Sequence, residues 1–390
     1  MAQLSQVACA KEARESKKGE DGFAICLPTD GKAPAAFAIF DGHSGKEAAR
    51  ICSETVCQRL LAKGPPFEAS AIADALWAVD EEVGTLKLKD GATAQIFLVE
   101  PSGDKLKCTM AWCGDSSAVV ADVMQPLTGP RNGNVLYATE SHTAGPDHQD
   151  SGRYKEEKVM LEFYGAVRNA VEAEGVDTQK VETTADMVRA AITKVGKPVD
   201  EEEVALLVRA FRRGKIIAET TPEGCHFRKK VYVRQRDKEH DVNQVWVVST
   251  ADKRFLEGGQ KNPEYSDLQM TRSVGDWRAS DMVLPNPQIH TFEVPADGIY
   301  RVVLASDGLW DVCDFSVAAH HMATHATVES TAKRLLGIAE LEYLNKRGHE
   351  MMDDDTTVLV VELNPAGTPF VPQVAPGAAD ANTGGCCQLM

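Results

Sequence analysis

The chain has 390 residues, 43% of them hydrophobic and 26% charged, which excludes a collagen, a coiled-coil rod and a wholly disordered chain. Lys and Arg number 42 against 58 Asp and Glu, so the formal net charge is −16 and phosphate backbones would repel it. Nucleic acid is therefore excluded as a partner, whereas divalent cations, which take carboxylate oxygens, are favoured.

At roughly 150 residues per domain the length admits two or three domains, or one large one. Residues 1–20 lack an apolar stretch of signal-peptide length, and no run of about 18 apolar residues occurs to span a membrane. The ten cysteines form no C-x-x-C pair, so a zinc site is not expected. With no secretion signal they read as reduced thiols of a cytoplasmic protein, expected as a monomer.

Residues 1–19 are polar and read as a loosely held N-terminal segment. Apolar runs at 23–27 and 35–40, joined by Pro28-Thr29-Asp30-Gly31, predict two strands across a turn. Residues 44–62 predict a helix capped by Ser44, with Glu47 three residues on and Ala48, Ile51, Cys52, Val56 and Leu60 on one face. A second helix is predicted over 67–86, striped by Ile72, Leu76, Val79, Val83 and Leu86. Strands follow at 92–99, 106–112 and 117–121.

The middle differs. Residues 154–213 show helical spacing, as in Val204, Leu207, Val208 and Phe211, and Gly175, Gly196 and Pro198 divide them into three helices. Strand patterns return at 231–233, 245–248, 300–305 and 356–362, with a helix over 330–345. Residues 364–385 are rich in Pro, Gly, Ala and Thr and predict a flexible tail. The order lacks regular βαβ alternation, so the fold class is α+β, with antiparallel sheets and helices stacked outside.

Acidic residues recur where apolar strands stop. Glu20 and Asp21 precede the strand at Phe23. Asp41 follows the strand ending at Phe40, and Asp307 follows the one ending at Ala305. Asp353, Asp354 and Asp355 precede the strand at Val358. Taken singly, an Asp-Gly pair is a turn and nothing more. Three separate strand patterns ending in acid are more than turns require. Carboxylates at neighbouring strand mouths would converge on a hard divalent cation, Mg²⁺ or Mn²⁺. His43, two residues after Asp41, is a candidate general acid, because an imidazole titrates near neutrality.

Seven segments, in order, resemble the metal-dependent protein serine/threonine phosphatases of the PPM family, also called type 2C. They are Lys17-Lys18-Gly19-Glu20-Asp21, Phe40-Asp41-Gly42-His43-Ser44-Gly45, Gly91-Ala92-Thr93-Ala94, Gly114-Asp115-Ser116-Ser117-Ala118, Thr271-Arg272-Ser273-Val274-Gly275-Asp276, Ala305-Ser306-Asp307-Gly308-Leu309-Trp310-Asp311 and Asp354-Asp355-Thr356-Thr357-Val358. The resemblance covers about residues 14–142 and 265–363. It implies a central antiparallel β-sandwich flanked by helices, with a two-metal site at one end. It further implies a domain over 20–363, a helical insertion at about 150–240 and a tail over 364–390.

Carried across residue by residue, the resemblance makes Asp41 the bridge between two metals, with the Gly42 carbonyl beside it. Asp307 and Asp354 would hold one metal and Glu20 the other, while Asp21 would hydrogen-bond metal-bound water. Asp311 stands where some members help hold a weaker third ion. Asp354 is preferred to its neighbours because the family pattern is D-x-x-T followed by an apolar residue. The implied reaction is hydrolysis of phosphoserine and phosphothreonine in a phosphoprotein substrate. Activated water attacks, and His43 protonates the leaving oxygen.

The sequence departs from the pattern at several places. Ser16 stands where many members carry a phosphate-gripping Arg, so Lys17, Lys18 or Arg14 would take that role. Ser141 stands where the family has an Asp associated with the third metal, and Ser117 replaces a common Arg. A rival reading is a phosphatase-fold binding protein of little activity, acting through the insertion or the tail.

The chain ends Cys386-Cys387-Gln388-Leu389-Met390. This resembles a C-a-a-X box, with Cys387 prenylated and Cys386 available for palmitoylation. The expectation is peripheral attachment to the cytoplasmic face of a membrane, since one prenyl chain alone binds only marginally.

Overall fold

The computed structural model describes residues 7–27, 34–145, 149, 152–178, 181–220, 232–236, 245–249, 268–277, 282–295, 297–347 and 354–374. Its centre is two five-stranded antiparallel sheets. One runs β1 (Val7–Arg14), β15 (Thr356–Leu363), β14 (Tyr300–Ala305), β8 (Ser117–Asp122), β9 (Val135–Ala138). The other runs β13 (Gln288–Val294), β7 (Lys105–Cys113), β6 (Ala94–Ser102), β3 (Ala35–Phe40), β2 (Gly22–Cys26).

Side chains alternate across each strand, so the inner strands are apolar on both faces. Phe37, Ile39, Phe97, Trp112, Val302 and Leu304 fill the space between the sheets. Their neighbours Ala36, Ala38 and Phe40 point the other way, onto α1 (Glu47–Lys63) and α2 (Ala69–Thr85). Val303 and Ala305 likewise turn to a layer that includes α6 (Asp307–Trp310), α7 (Phe315–Thr324) and α8 (Val328–Arg347). The result is helix, sheet, sheet, helix, the α+β sandwich expected from the sequence.

Residues 154–220 hold three helices, α3 (Tyr154–Glu172), α4 (Ala185–Val195) and α5 (Glu201–Thr220), divided near Gly175 and Gly196 as predicted, and β10 (Tyr232–Arg236) pairs with β11 (Val245–Ser249) as a separate two-stranded sheet. Thr184 caps α4 by accepting from the Met187 amide, and Gly196 ends it at φ 83°, where a side chain would be strained. Leu161, Tyr164, Ile192, Leu207 and Phe211 build a third core with Trp77 of α2 and Met282, Val283 and Leu284. These helices are therefore packed into the body of the protein.

Several expectations are corrected. Residues 7–14 are not loose: β1 pairs with β15 from Val7↔Leu363 to Arg14↔Thr356, because β15 has an edge that only this segment covers. Ser44 does not cap α1; it sits at φ 64°, and Asp90 accepts from the Ala48 amide at 2.9 Å instead. Leu86 leaves its stripe and is 56% exposed. The first part of the tail is packed, with the Gln373 amide donating to Ala323 O and Phe370 lying against Arg301. Strands β9 and β13 and helix α7 were not anticipated; only three of the seven residues of β13, Ile289, Phe292 and Val294, are apolar enough to mark a strand without its partner β7.

Candidate active site

The antiparallel register brings the acidic strand ends together. Ala305, the last residue of β14, is opposite both Val358 of β15 and Ser117 of β8. Gly22, the first residue of β2, is opposite Phe40, the last of β3. Asp307, Asp354, Asp115, Asp21 and Asp41 therefore emerge at one end of the sandwich, each one or two residues beyond its strand.

Local contacts hold them there. The Asp41 amide donates to Thr93 Oγ1 at 3.1 Å, and the Thr93 amide returns a bond to Asp41 O at 2.9 Å. Gly42 follows, and a Cβ there would stand 2.4 Å from the Glu20 carbonyl oxygen, so only glycine lets the two segments meet. Ser306 joins the sheets: its Oγ donates to Asp21 Oδ2 at 2.9 Å and accepts from the Thr357 amide at 3.0 Å. Asp355 turns away from the cluster and ties down the loop before β2, accepting from the Ser16 amide at 2.5 Å and the Glu20 amide at 2.6 Å. Asp354 faces the cluster, where its charge acts on Asp21, Asp41 and Asp307. Asp353 lies outside the described residues.

The cluster is electrostatically loaded. Burial, then Asp307 and Asp21, hold the Asp41 carboxyl well above its ordinary range. Asp307 is pushed up to about 7 by burial, Asp311 and Asp354. Asp21 is raised to about 6, burial outweighing its bonds from Thr357 and Ser306. Asp21 Oδ1 and Asp307 Oδ1 are buried with no hydrogen-bond partner among the described residues. Hard-oxygen donors crowded together and left unsatisfied fit a divalent cation. Among the described residues, no three His, Cys, Asp or Glu side chains are drawn to the spacing of a closed metal cage.

Of the basic candidates, only Lys18 reaches the cluster, with its Nζ 2.6 Å from Asp354 Oδ2. Lys17 is exposed, and Arg14 pairs with Glu340 of α8 at 3.1 Å, away from the acids. Cys386 and Cys387 lie outside the described residues.

His43 has a partner that sequence reasoning missed. A small sheet of β4 (Gly42–His43), β5 (Gly91–Ala92) and β12 (Val274–Gly275) aligns His43 and Gly275 on either side of Gly91. Asp276 then bonds His43 Nε2 across a gap that a Gly91 side chain would fill. Burial opposes the imidazolium charge, but Asp276 outweighs it and raises the His43 pKa to about 9, with Asp115 adding to the effect. Ser273 Oγ donates to the same Asp276 oxygen at 2.6 Å. Asp115 and Asp276 were both visible in quoted motifs; their closeness to His43 was not.

Comparison with known proteins agrees with this geometry. The family model described as Protein phosphatase 2C matches residues 9–128 and 240–337. Probable protein phosphatase 2C 5 of Arabidopsis thaliana is 33% identical over 100 residues, 26% of this chain and 21% of that protein. Probable protein phosphatase 2C 40 of Oryza sativa subsp. japonica is 20% identical over 374 residues, 91% of this chain and 57% of that protein. The match thus spans about a fifth of the first relative's length and little over half of the second's. The crystal structure of serine-threonine phosphatase 2C from Toxoplasma gondii shares the fold, with a TM-score of 0.57 at 17% identity over 93% of this chain and 97% of that one. With more than half of its residues matched by the family model, and with the acidic strand ends of both sheets gathered at one place, the chain belongs to the protein phosphatase 2C family.

Proposed function

We propose that this protein hydrolyses phosphoserine and phosphothreonine in phosphoprotein substrates, using two Mg²⁺ or Mn²⁺ ions. The observation that carries the reading is the pair of buried, unsatisfied carboxylate oxygens on Asp21 and Asp307 within a cluster drawn from both sheets. Asp41 and the Gly42 carbonyl, with Glu20, Asp307 and Asp354, are the groups that would hold the ions; Asp21 and Asp311 flank them. Asp311 would serve a weaker third ion. Bound there, the cations lower the pKa of water and neutralise phosphoryl oxygens.

The chain's own groups do the rest. Lys18 stands at the rim, where its charge can meet the substrate phosphate; Lys17, one residue away, is the second candidate. Asp276 at Nε2 keeps the His43 ring protonated, and His43 gives a proton to the departing Ser or Thr oxygen. General-acid assistance of this kind contributes roughly 10²–10⁴-fold. In this reading the phosphatase domain takes in β1 as well as residues 20–363, and the helices of the insertion belong to its substrate side.

The test is Mn²⁺-dependent hydrolysis of a phosphothreonine peptide, with Asp307→Asn as control. Turnover that survives exhaustive chelation, or equal turnover by the variant, ends the reading.

A further inference from the structure

The helical insertion carries a groove lined by no residue assigned a role above. It encloses about 950 Å³ between α3 and the start of α5, closed at one side by Asn286. Its floor is apolar: Val159, Met160, Phe163, Tyr164 and Leu206. Val159 is 57% exposed, an apolar side chain held in water on a folded helix. Met160 brings an adaptable surface that suits varied partners.

The rim is acidic. Glu156, Asp200, Glu202 and Glu203 surround the floor, against Lys155 and Lys197. Burial and the nearby Asp200 raise the Glu203 carboxyl, outweighing the opposite pull of Lys197. An apolar floor under a negative rim matches an amphipathic segment with Leu or Phe on one face and Lys or Arg at its edges.

The groove also touches the segment that positions His43. Arg272 bonds Asn286 O at 3.1 Å and Met160 Sδ at 3.7 Å, and pairs with Glu157 of α3 at 2.8 Å. Asp276 lies four residues further along. Four residues of chain span at most about 14 Å, so groove and acidic cluster fall within reach of one bound polypeptide.

We propose that this groove docks a basic, amphipathic segment of the phosphoprotein substrate, apart from the phosphorylated residue itself. The proposal rests on the phosphatase reading for its substrate, and its test separates the two. Binding is read by fluorescence anisotropy of a labelled synthetic peptide of Leu, Phe and Lys with amphipathic helical spacing, against a twin with Glu in place of Lys. The intact protein should bind the Lys peptide at least tenfold more tightly than the Glu twin. Glu156→Lys combined with Glu202→Lys should reverse that order, and Val159→Glu should weaken binding of the Lys peptide tenfold.

The same Lys segment is then joined to a phosphothreonine peptide. The rim-reversed variant should raise KM for the joined substrate about tenfold and leave turnover of an activated aryl phosphate unchanged, which also shows that it is folded. Equal binding of both peptides, no binding of either, or an unchanged KM in the variant overturns the docking proposal. If the intact protein hydrolyses neither substrate, the phosphatase reading fails, while the anisotropy result still decides whether the groove takes a basic segment.

Discussion

Asp80 and Arg213 meet as a buried two-pronged ion pair, Nε to Oδ2 at 2.8 Å and Nη2 to Oδ1 at 3.1 Å, that joins α2 to α5. Asp80 Oδ1 also accepts from the Gly275 amide at 2.8 Å and from Trp277 Nε1 at 3.0 Å. Arg213 donates to Val283 O at 3.0 Å and to Gly275 O. The residues on both sides of Asp276 are thus tied to one carboxylate, and the insertion supplies its counter-charge.

Removing one partner of such a pair leaves a charge buried without compensation. Arg213→Met is expected to cost about 3–5 kcal/mol of stability, read by urea unfolding. Because Gly275 and Trp277 would loosen with it, turnover at full folding should fall as well. A loss under 1 kcal/mol would show that water replaces the guanidinium and that the insertion is not needed to brace this segment.

Asp276→Asn should mimic His43→Ala. Both are expected to lower kcat on a phosphothreonine peptide by roughly 10²-fold or more, and to have much less effect on an activated aryl phosphate, whose leaving group needs no proton. Equal losses on the two substrates would assign His43 and Asp276 to structure alone.

Metal should register in stability as well as in activity. The crowded carboxylates repel one another, so Mn²⁺ should raise the melting temperature of the metal-free protein by mass action. Asp307→Asn removes one of the repelling charges. It should raise the metal-free melting temperature and abolish most of the Mn²⁺-induced shift. A variant that melts lower than wild type without metal, and shifts as wild type does with it, would contradict the assignment.

His142 predicts an acid limit to stability. Its Nδ1 accepts from the Gly114 amide at 3.2 Å and its other nitrogen meets Gln288 Oε1 at 3.3 Å, an arrangement for the neutral ring. Burial, then Arg272 and Arg153, depress its pKa well below the usual value near 6.5. Above that value both folded and unfolded chains carry it neutral, and it adds no pH dependence. Below it the unfolded chain takes up a proton that the folded chain refuses, so stability falls with pH by up to about 1.4 kcal/mol per unit. His142→Gln should flatten the unfolding free energy between pH 6.5 and pH 5; an unchanged slope would show that other groups set it.

Local pattern was enough for much of this protein. The apolar runs at 35–40, 300–305 and 356–362 are strands because their residues are buried on both faces, and a continuous run records that directly. Three helices in the insertion could be counted from spacing and from Gly175 and Gly196. The acids that follow or precede those strands, Asp41, Asp307 and Asp354, could be read because each sits beside an unmistakable run.

Only the tertiary structure decided the rest, and in each case the cause is contact across a long stretch of chain. Residues 7–14 look polar, and become a strand because β15 offers an edge. Asp90 caps α1 from 42 residues away, where Ser44 looked sufficient. Asp276 reaches His43 across 233 residues, through a glycine that leaves room for it. Arg14, Lys17 and Lys18 are alike as nearby positive charges in the sequence; the turn held by Asp355 sends one to the acidic cluster and another to α8. Partners so distant leave no local period or spacing, because burial selects residue type at a position but not which remote group will share the same space.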